Sequence, residues 1–343
     1  MEKIEIRNFG PIKEVEIELK DVNIFIGSTS SGKSTVAKLV SIFKSGELAY
    51  GLEKFEDMLE SYGIDYGLDE ETYIKYTYHQ LFYEFADCKM NTNIGPFNSG
   101  ISFNAIYIPA ERAFFSTLSQ SIFGLLSKNV SLPKWLIDFG AKFEQARMEM
   151  RKFKVDFLDA SYEYSDGGDY ISVSNSSRIR LGQASSGLQS IIPLLLVVKH
   201  NTIQKDISDD MFVIEEPEIN LYPSSQKDLI EFIFRRINFS DDKLIITTHS
   251  PYLLTAIDNL IQAGNVGFRN DTDFTTVDEI VDKQLWLNFD RVSCYYFNGG
   301  TAKSTMDSQN RSIGPSNIDD VSAELGETFD QLLALKYKND GLR

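Results

Sequence analysis

The chain runs to 343 residues, 42% of them hydrophobic, which suits one large domain or a core with an added lobe. Its formal net charge of −16 disfavours binding bare nucleic acid over a broad face, because phosphate contacts need clustered lysine and arginine. Cys88 and Cys294 lie far apart and outside any metal spacing, which argues against a disulfide framework and fits a reduced, cytoplasmic setting.

The opening Met1-Glu2-Lys3-Ile4-Glu5-Ile6 is already strand-like, so no leader is expected. Ile4 to Phe9 and Val15 to Leu19 alternate apolar and polar residues around Gly10-Pro11, the pattern of a hairpin with one buried face. Asp21 to Ile26 then reads as a short buried strand. It runs into Gly27-Ser28-Thr29-Ser30-Ser31-Gly32-Lys33-Ser34-Thr35, and Val36 to Val40 opens a helix. Strand, glycine-bounded loop, Gly-Lys-Ser and helix form the context a P-loop requires. Its backbone N–H groups and the helix N-terminus would cradle phosphates. Lys33 would reach the β- and γ-phosphates of ATP, and the Ser34 hydroxyl would ligate Mg²⁺.

Residues 46–104 change character: they are rich in tyrosine, phenylalanine and acids, punctuated by Gly63 and Gly67. They read as an inserted, mainly helical lobe off the sheet. Asn104 to Pro109 reads as the next buried strand, leaving Arg112 where a strand runs out, the level at which ligands bind in such sheets. Arg112 is open to a role at the γ-phosphate or behind it, or to a structural ion pair. Residues 134–156 carry Trp135, Leu136, Phe139, Phe143, Ala146, Met150 and Phe153 at helical spacing. The basic side of that stretch, with Lys142, Arg147, Arg151, Lys152 and Lys154, is either a solvated face or a docking face for nucleic acid or an acidic partner.

Two strands are expected at Val155 to Phe157 and Tyr170 to Ser174, around the turn Asp166-Gly167-Gly168-Asp169. Ala184-Ser185-Ser186-Gly187-Leu188-Gln189 then leads into an apolar helix over 190–199, whose longest apolar run is too short to span a bilayer. Met211 to Ile214 ends in Glu215-Glu216-Pro217-Glu218, placing two carboxylates at the tip of a buried strand. Glu215 would hold the Mg²⁺ water shell and Glu216 would polarise the attacking water. Lys243 to Thr248 is a further strand ending in His249, at the level of the carboxylates, where a hydrogen bond to the γ-phosphate is expected. Gln284 to Leu287 and Val292 to Asn298 read as edge strands and Asn298-Gly299-Gly300 as a turn. Residues 303–318 read as a surface loop and Phe329 to Leu335 as a closing helix.

Four motifs in this order, Gly27–Ser34, Ala184–Gln189, Val213–Glu218 and Thr247–Ser250, resemble the ABC-type ATPases of the SMC/RecF/OLD group. The closest resemblance is to stand-alone, OLD-like ATPases of bacterial phage-defence systems such as the Septu and retron ATPase subunits. The resemblance implies an α/β P-loop NTPase: an ABC-ATPase head with a mixed central sheet, an N-terminal antiparallel β lobe and the insertion. Its parts would be a core over 1–45, the insertion over 46–104, and a continued core over 105–343. That last part would hold a signature lobe near 111–200 and the strand-tip acids and switch histidine near 201–343. In that group ATP is sandwiched between two heads arranged head to tail. Ser185 and Gly187 would then touch the γ-phosphate bound to the other subunit, with Glu215 the magnesium-side acid, Glu216 the catalytic base and His249 the switch histidine. The chain departs from the group's usual pattern at Glu215 (commonly aspartate), at Ala184 and Ser186 (commonly leucine and glycine), and at Tyr222 (often histidine or aspartate).

The expectation is an ATPase that dimerises, or forms a higher oligomer, around ATP and regulates a separate effector such as a nuclease or toxin. No membrane association is expected. No sustained heptad arms appear, and too few residues follow His249 for an appended nuclease domain. The alternatives are a RecF-like ATP-dependent DNA clamp, which the acidity disfavours, and a transporter ATPase, which the Glu-Glu-Pro-Glu motif disfavours.

Overall fold

The computed structural model describes residues 2–45, 51–93, 104–118, 132–174, 177–203, 210–237, 242–269, 274–314 and 317–340. The chain opens with β1 (Glu2–Phe9) and β2 (Ile12–Leu19), paired antiparallel with Ile4 opposite Ile17 and Ile6 opposite Val15. Those side chains are buried, while Lys3 bridges Glu5 and Glu16 on the other face. This is the period-two division the alternation predicts. Next come β3 (Val22–Gly27), buried throughout, and α1 (Lys33–Phe43).

The insertion departs from expectation. It supplies one helix, α2 (Leu52–Ser61), followed by β4 (Tyr73–Tyr78), β5 (Leu81–Ala86) and β6 (Lys89–Thr92). These strands extend the main sheet, since β4 pairs antiparallel with β1. Ile74, Tyr76, Tyr83 and Phe85 point inward, where Phe43 of α1 stacks on Tyr76 at 5.1 Å and on Phe55 at 5.8 Å. The lobe is therefore not mainly helical and not off the sheet. Its aromatic residues take β geometry because alternate ones pack on α1. Residues 94–103, within the same expected lobe, lie outside the described residues.

After β7 (Asn104–Ile108) come the short α3 (Ala113–Leu118) and α4 (Lys134–Glu149). The helix expected over 134–156 stops at Glu149. Phe153 lies instead in β8 (Lys152–Val155), which pairs with β9 (Ala160–Ser165); β10 (Gly168–Val173) and β11 (Ile179–Arg180) complete a separate four-stranded sheet. The basic side of α4 and β8 is largely paired within the chain: Arg147 with Asp169 at 2.8 Å, Lys152 with Glu163 and Lys154 with Asp156.

The core resumes with α5 (Ser186–Ile203), β12 (Asp210–Glu215), α6 (Pro223–Ile237), β13 (Lys243–Thr248), α7 (Pro251–Gly267) and α8 (Phe274–Ile280). Residues 284–287 are not a strand. Trp286 and Leu287 pack into a notch of α7, where a Cβ on Gly264 would lie 2.0 Å from the Leu287 carbonyl oxygen. β14 (Val292–Asn298) is not an edge either, but pairs parallel with β3 and antiparallel with β15 (Thr301–Ser304) across the Gly299-Gly300 turn. β16 (Met306–Asp307) and β17 (Ser312–Ile313) form a small ladder within the expected loop, and α9 (Asn317–Asp340) closes the chain.

The main sheet has eleven strands in the order β6-β5-β4-β1-β2-β15-β14-β3-β13-β12-β7. The run β14-β3-β13-β12-β7 is parallel. It therefore delivers the C-terminal ends of β3, β13, β12 and β7 to one rim, where ligands bind in such sheets. The fold is a mixed α/β domain built on one large mixed sheet. Among the described residues no helix is long and apolar enough to cross a membrane.

Candidate nucleotide-binding site

Two glycines frame the loop after β3. Gly27 has φ 150°, and a Cβ there would sit 2.1 Å from the Phe297 carbonyl oxygen of β14. Gly32 caps α1 with φ 104°, with Ile12 pressed against it. Only glycine meets both demands. Ser28, Thr29 and Ser30 are exposed between them, Ser30 at φ 59°, whereas Ser31 is buried with its hydroxyl donating to the Ser28 carbonyl at 2.7 Å. The buried Lys33 ammonium donates to the carbonyls of Gly27 at 2.9 Å and Ser28 at 2.7 Å. Burial draws its pKa down to about 8, with Glu216, Glu218 and Glu215 pulling the other way. Thr35 is buried, and Ser34 is exposed at the start of α1.

At the tip of β12, Glu215 and Glu216 part company. Glu215 turns inward, and its Oε1 is buried with no hydrogen-bond partner, as is the neighbouring Tyr107 hydroxyl. Burial pushes the Glu215 carboxyl up, offset in part by the Tyr107 and Ser34 hydroxyls and Lys38. Glu216 sits at φ 41° with its N–H donating to the Thr247 carbonyl at 2.9 Å. Its carboxylate is half-exposed and lies 3.5 Å from Nε2 of His249. His249, ahead of the nearby positive charge of Lys33 and Arg112, holds that carboxyl below the usual glutamate range.

Two residues behind the rim hold this arrangement. Arg112 is fully buried, which keeps it from reaching a phosphate, and among the described residues it makes no ion pair. Its guanidinium donates to five backbone carbonyls: Ser190 of α5, Pro109, and Glu215, Glu216 and Pro217 of the strand tip. Glu218 accepts from the Thr248 hydroxyl at 2.7 Å and the His249 N–H at 2.8 Å, tying the end of β13 to that of β12. The Glu-Pro-Glu spacing signals Glu218 in the sequence, but the Arg112 contacts leave no local trace.

The structure brings Lys33, Ser34, Glu215, Glu216 and His249 together. Ser185 and Gly187 are not joined to that group by any hydrogen bond among the described residues. Ser185 is exposed at the start of α5, its hydroxyl accepting from Leu188 N at 3.5 Å. A Cβ on Gly187 would meet the Asn220 carbonyl oxygen at 2.9 Å. Gln189 anchors the turn, donating to the carbonyls of Gly182 and Ala184.

The AAA ATPase domain family matches this chain over residues 1–155 and 114–254. The chain belongs to that family. Comparison of this AAA ATPase domain with curated proteins returned no match. Among solved structures it is similar to the SMC head domain from Thermotoga maritima at 12% identity, covering 88% of this chain and 97% of that one, with a TM-score of 0.42. An SMC head with an extended coiled coil, bound to the C-terminal domain of ScpA and derived from Pyrococcus furiosus, is similar at 11% identity, over 96% and 100% of the two chains, with a TM-score of 0.43. The ADP conformation of an ABC transporter's ATP-binding cassette is similar at 16% identity, over 91% and 93%, with a TM-score of 0.38.

An AAA ATPase domain binds nucleotide, and the cradle between Gly27 and Gly32 fits a polyphosphate. A magnesium ion also fits. The orphaned Glu215 oxygen and the Ser34 hydroxyl are hard oxygen donors, and a divalent charge would offset the burial of an unpaired carboxylate. Bound there, the ion would polarise the terminal phosphate.

The depressed Lys33 pKa is expected to make nucleotide binding pH-dependent. Below about 8 the ammonium is already charged; above it, binding a polyphosphate must take up a proton. Affinity for ATP is expected to hold level from pH 6.5 to 7.5 and to weaken by up to about tenfold per unit above 8. Calorimetry across pH 6.5 to 9.5 checks this. Lys33→Ala should flatten the profile, and equal wild-type affinity at pH 7 and 9.5 would contradict it.

Proposed function

We propose that this chain binds and hydrolyses Mg-ATP, and that two copies close head to tail around the nucleotide to regulate a separate effector. The observation that carries this reading is the division of the site. A base, its histidine and a phosphate-reaching lysine gather at one rim, while Ser185 and Gly187 stand apart on the exposed turn that starts α5. In this reading Lys33 holds the β- and γ-phosphates, and Ser34 and Glu215 hold the ion. Glu216 takes the proton of the attacking water, and His249 orients Glu216 and the terminal phosphate. Ser185 and Gly187 complete the site of the other copy. We place the protein among bacterial defence ATPases on the order of its four motifs, with a nuclease or toxin in another chain as the output. The pairing of Arg147, Lys152 and Lys154 with acids of the same chain weighs against direct DNA clamping.

Ser185→Arg tests the division. Monomer affinity for ATP should stay within about twofold, and ATP-induced dimers should disappear. Light scattering with ATP and a hydrolysis-blocked background reads the result. Dimers that persist would remove Ser185 from the shared interface.

A further inference from the structure

We propose that Tyr107 is a positioning residue for the metal-side acid: its hydroxyl holds the Glu215 carboxylate in place for a magnesium ion. The proposal rests on the reading of Glu215 given above. β7 and β12 pair in parallel, with Tyr107 opposite Val213. Glu215 stands two residues beyond Val213, so Tyr107 and Glu215 share one face of the sheet on neighbouring strands. The Glu215 carboxyl accordingly faces the hydroxyls of Tyr107 and Ser34.

The Tyr107 ring is fixed. It is buried, edge-on to Tyr62 at the end of α2 with centroids 5.8 Å apart, and edge-on to Trp135 of α4 at 6.1 Å. Its hydroxyl therefore has little choice of place. A phenol keeps its proton at neutral pH and can donate it to a hydrogen bond. Yet this hydroxyl and Oε1 of Glu215 are both buried, and neither has a hydrogen-bond partner. Phenylalanine would pack against the same two rings and leave no orphan. A hydroxyl in a dry interior is costly unless something uses it.

The carboxylate is what can use it. A glutamate has three side-chain torsions to fix, and no hydrogen bond fixes Oε1 of Glu215. A carboxylate offers about four lone-pair sites. One taken by Tyr107 sets the plane of the group and leaves the others for a cation. Carboxylates that ligate metals are held in this way by residues that do not touch the ion, and losing such a partner weakens metal binding by about 10- to 100-fold. The division of labour is then plain. Arg112 holds the Glu215 backbone through its carbonyl, and Tyr107 holds its side chain.

The test measures equilibrium binding of a non-hydrolysable ATP analogue, in excess magnesium and in EDTA. The proteins are the wild type, Tyr107→Phe, Glu215→Ala and the double variant. The ratio of the two affinities is what the ion adds to nucleotide binding, and by linkage what the nucleotide adds to binding of the ion. In Tyr107→Phe that ratio is expected to be about 10- to 100-fold smaller than in the wild type, with the affinity in EDTA within about twofold. Urea unfolding without metal should show a midpoint at or above that of the wild type, because an unpartnered hydroxyl has been removed. In the Glu215→Ala background, Tyr107→Phe should change the ratio no further. An undiminished ratio in Tyr107→Phe overturns the proposal, whether both affinities hold or both fall together; in the second case Tyr107 supports the fold alone. A lower urea midpoint also overturns it, since the hydroxyl would then already have a partner in the metal-free fold. If Glu215→Ala keeps the wild-type ratio, the reading of Glu215 itself falls, and this proposal with it.

Discussion

Glu216→Gln is expected to lower steady-state ATP hydrolysis by about 10²–10⁴-fold and to leave ATP binding intact. The amide keeps the length and shape of the side chain and tolerates the φ of 41° as glutamate does, so the strand tip is undisturbed. What is lost is the ability to accept a proton. Glu216 is suited to that task because its carboxylate is half-exposed, aimed outward and beside Nε2 of His249 at 3.5 Å. The histidine holds the carboxyl below its ordinary range, so it is ionised from pH 5 to 8, and the rate should not fall on acidification to pH 5 on account of Glu216. The single effect expected on binding comes through Lys33. Glu216 is the first of three carboxylates that keep that ammonium protonated, so the pH above which affinity declines should move down. Single-turnover hydrolysis with equilibrium binding in parallel separates the outcomes. Unchanged turnover removes Glu216 as the base, and parallel loss of binding and turnover shows that it shapes the site instead.

The contrast between Glu216 and the insertion shows what the sequence makes legible. The P-loop and the Glu-Glu tip each follow a short apolar run, so the punctuation that ends the strand also marks the site. Neighbours on the chain are neighbours in space there, and His249 falls at the same level because β13 pairs with β12 in register, Thr247 opposite Glu215. The insertion gave no such cue. In Tyr73-Ile74-Lys75-Tyr76-Thr77-Tyr78 aromatic residues occupy both faces, which blurs the period of two. The structure separates them by burial, with Tyr76 inside and Tyr73 over Glu84. Trp286 and Leu287 misled in the opposite way. Their apolar run resembles a strand, yet it fills the notch made by Gly264 and Gly267 one helical turn apart on α7. That pair of glycines was the available signal. Arg112 is marked in the sequence only by its place where a strand runs out; its partners lie as far as 105 residues away and are backbone oxygens, which carry no residue-type signature.

Arg112→Met is expected to cost about 3–5 kcal/mol of stability, among the largest effects of any single change in this chain. Methionine replaces the apolar stem but ends about where Nε stands, so the space of the outer guanidinium adds a cavity contribution. The larger loss is in the carbonyls. Pro109, Ser190, Glu215, Glu216 and Pro217 all direct oxygens at one guanidinium in a dry interior, and without it each is left short of a partner. A hydrogen bond from a charged donor contributes about 1.5–3 kcal/mol, but five at one centre do not add, and burying the guanidinium costs in return. That cost is visible in its pKa, which burial brings down to about 10. Arg112→Lys should fall between, because three donors on one nitrogen cannot span a fork of five carbonyls. Urea unfolding reads both variants. The same bonds run from α5, which begins at the Ser185 turn, to the backbone that sets Glu216 at φ 41°. Arg112→Lys should therefore lower the hydrolysis rate by more than its stability loss explains, while ATP affinity stays near that of the wild type. A variant that is destabilised but hydrolyses ATP normally would confine Arg112 to holding the fold.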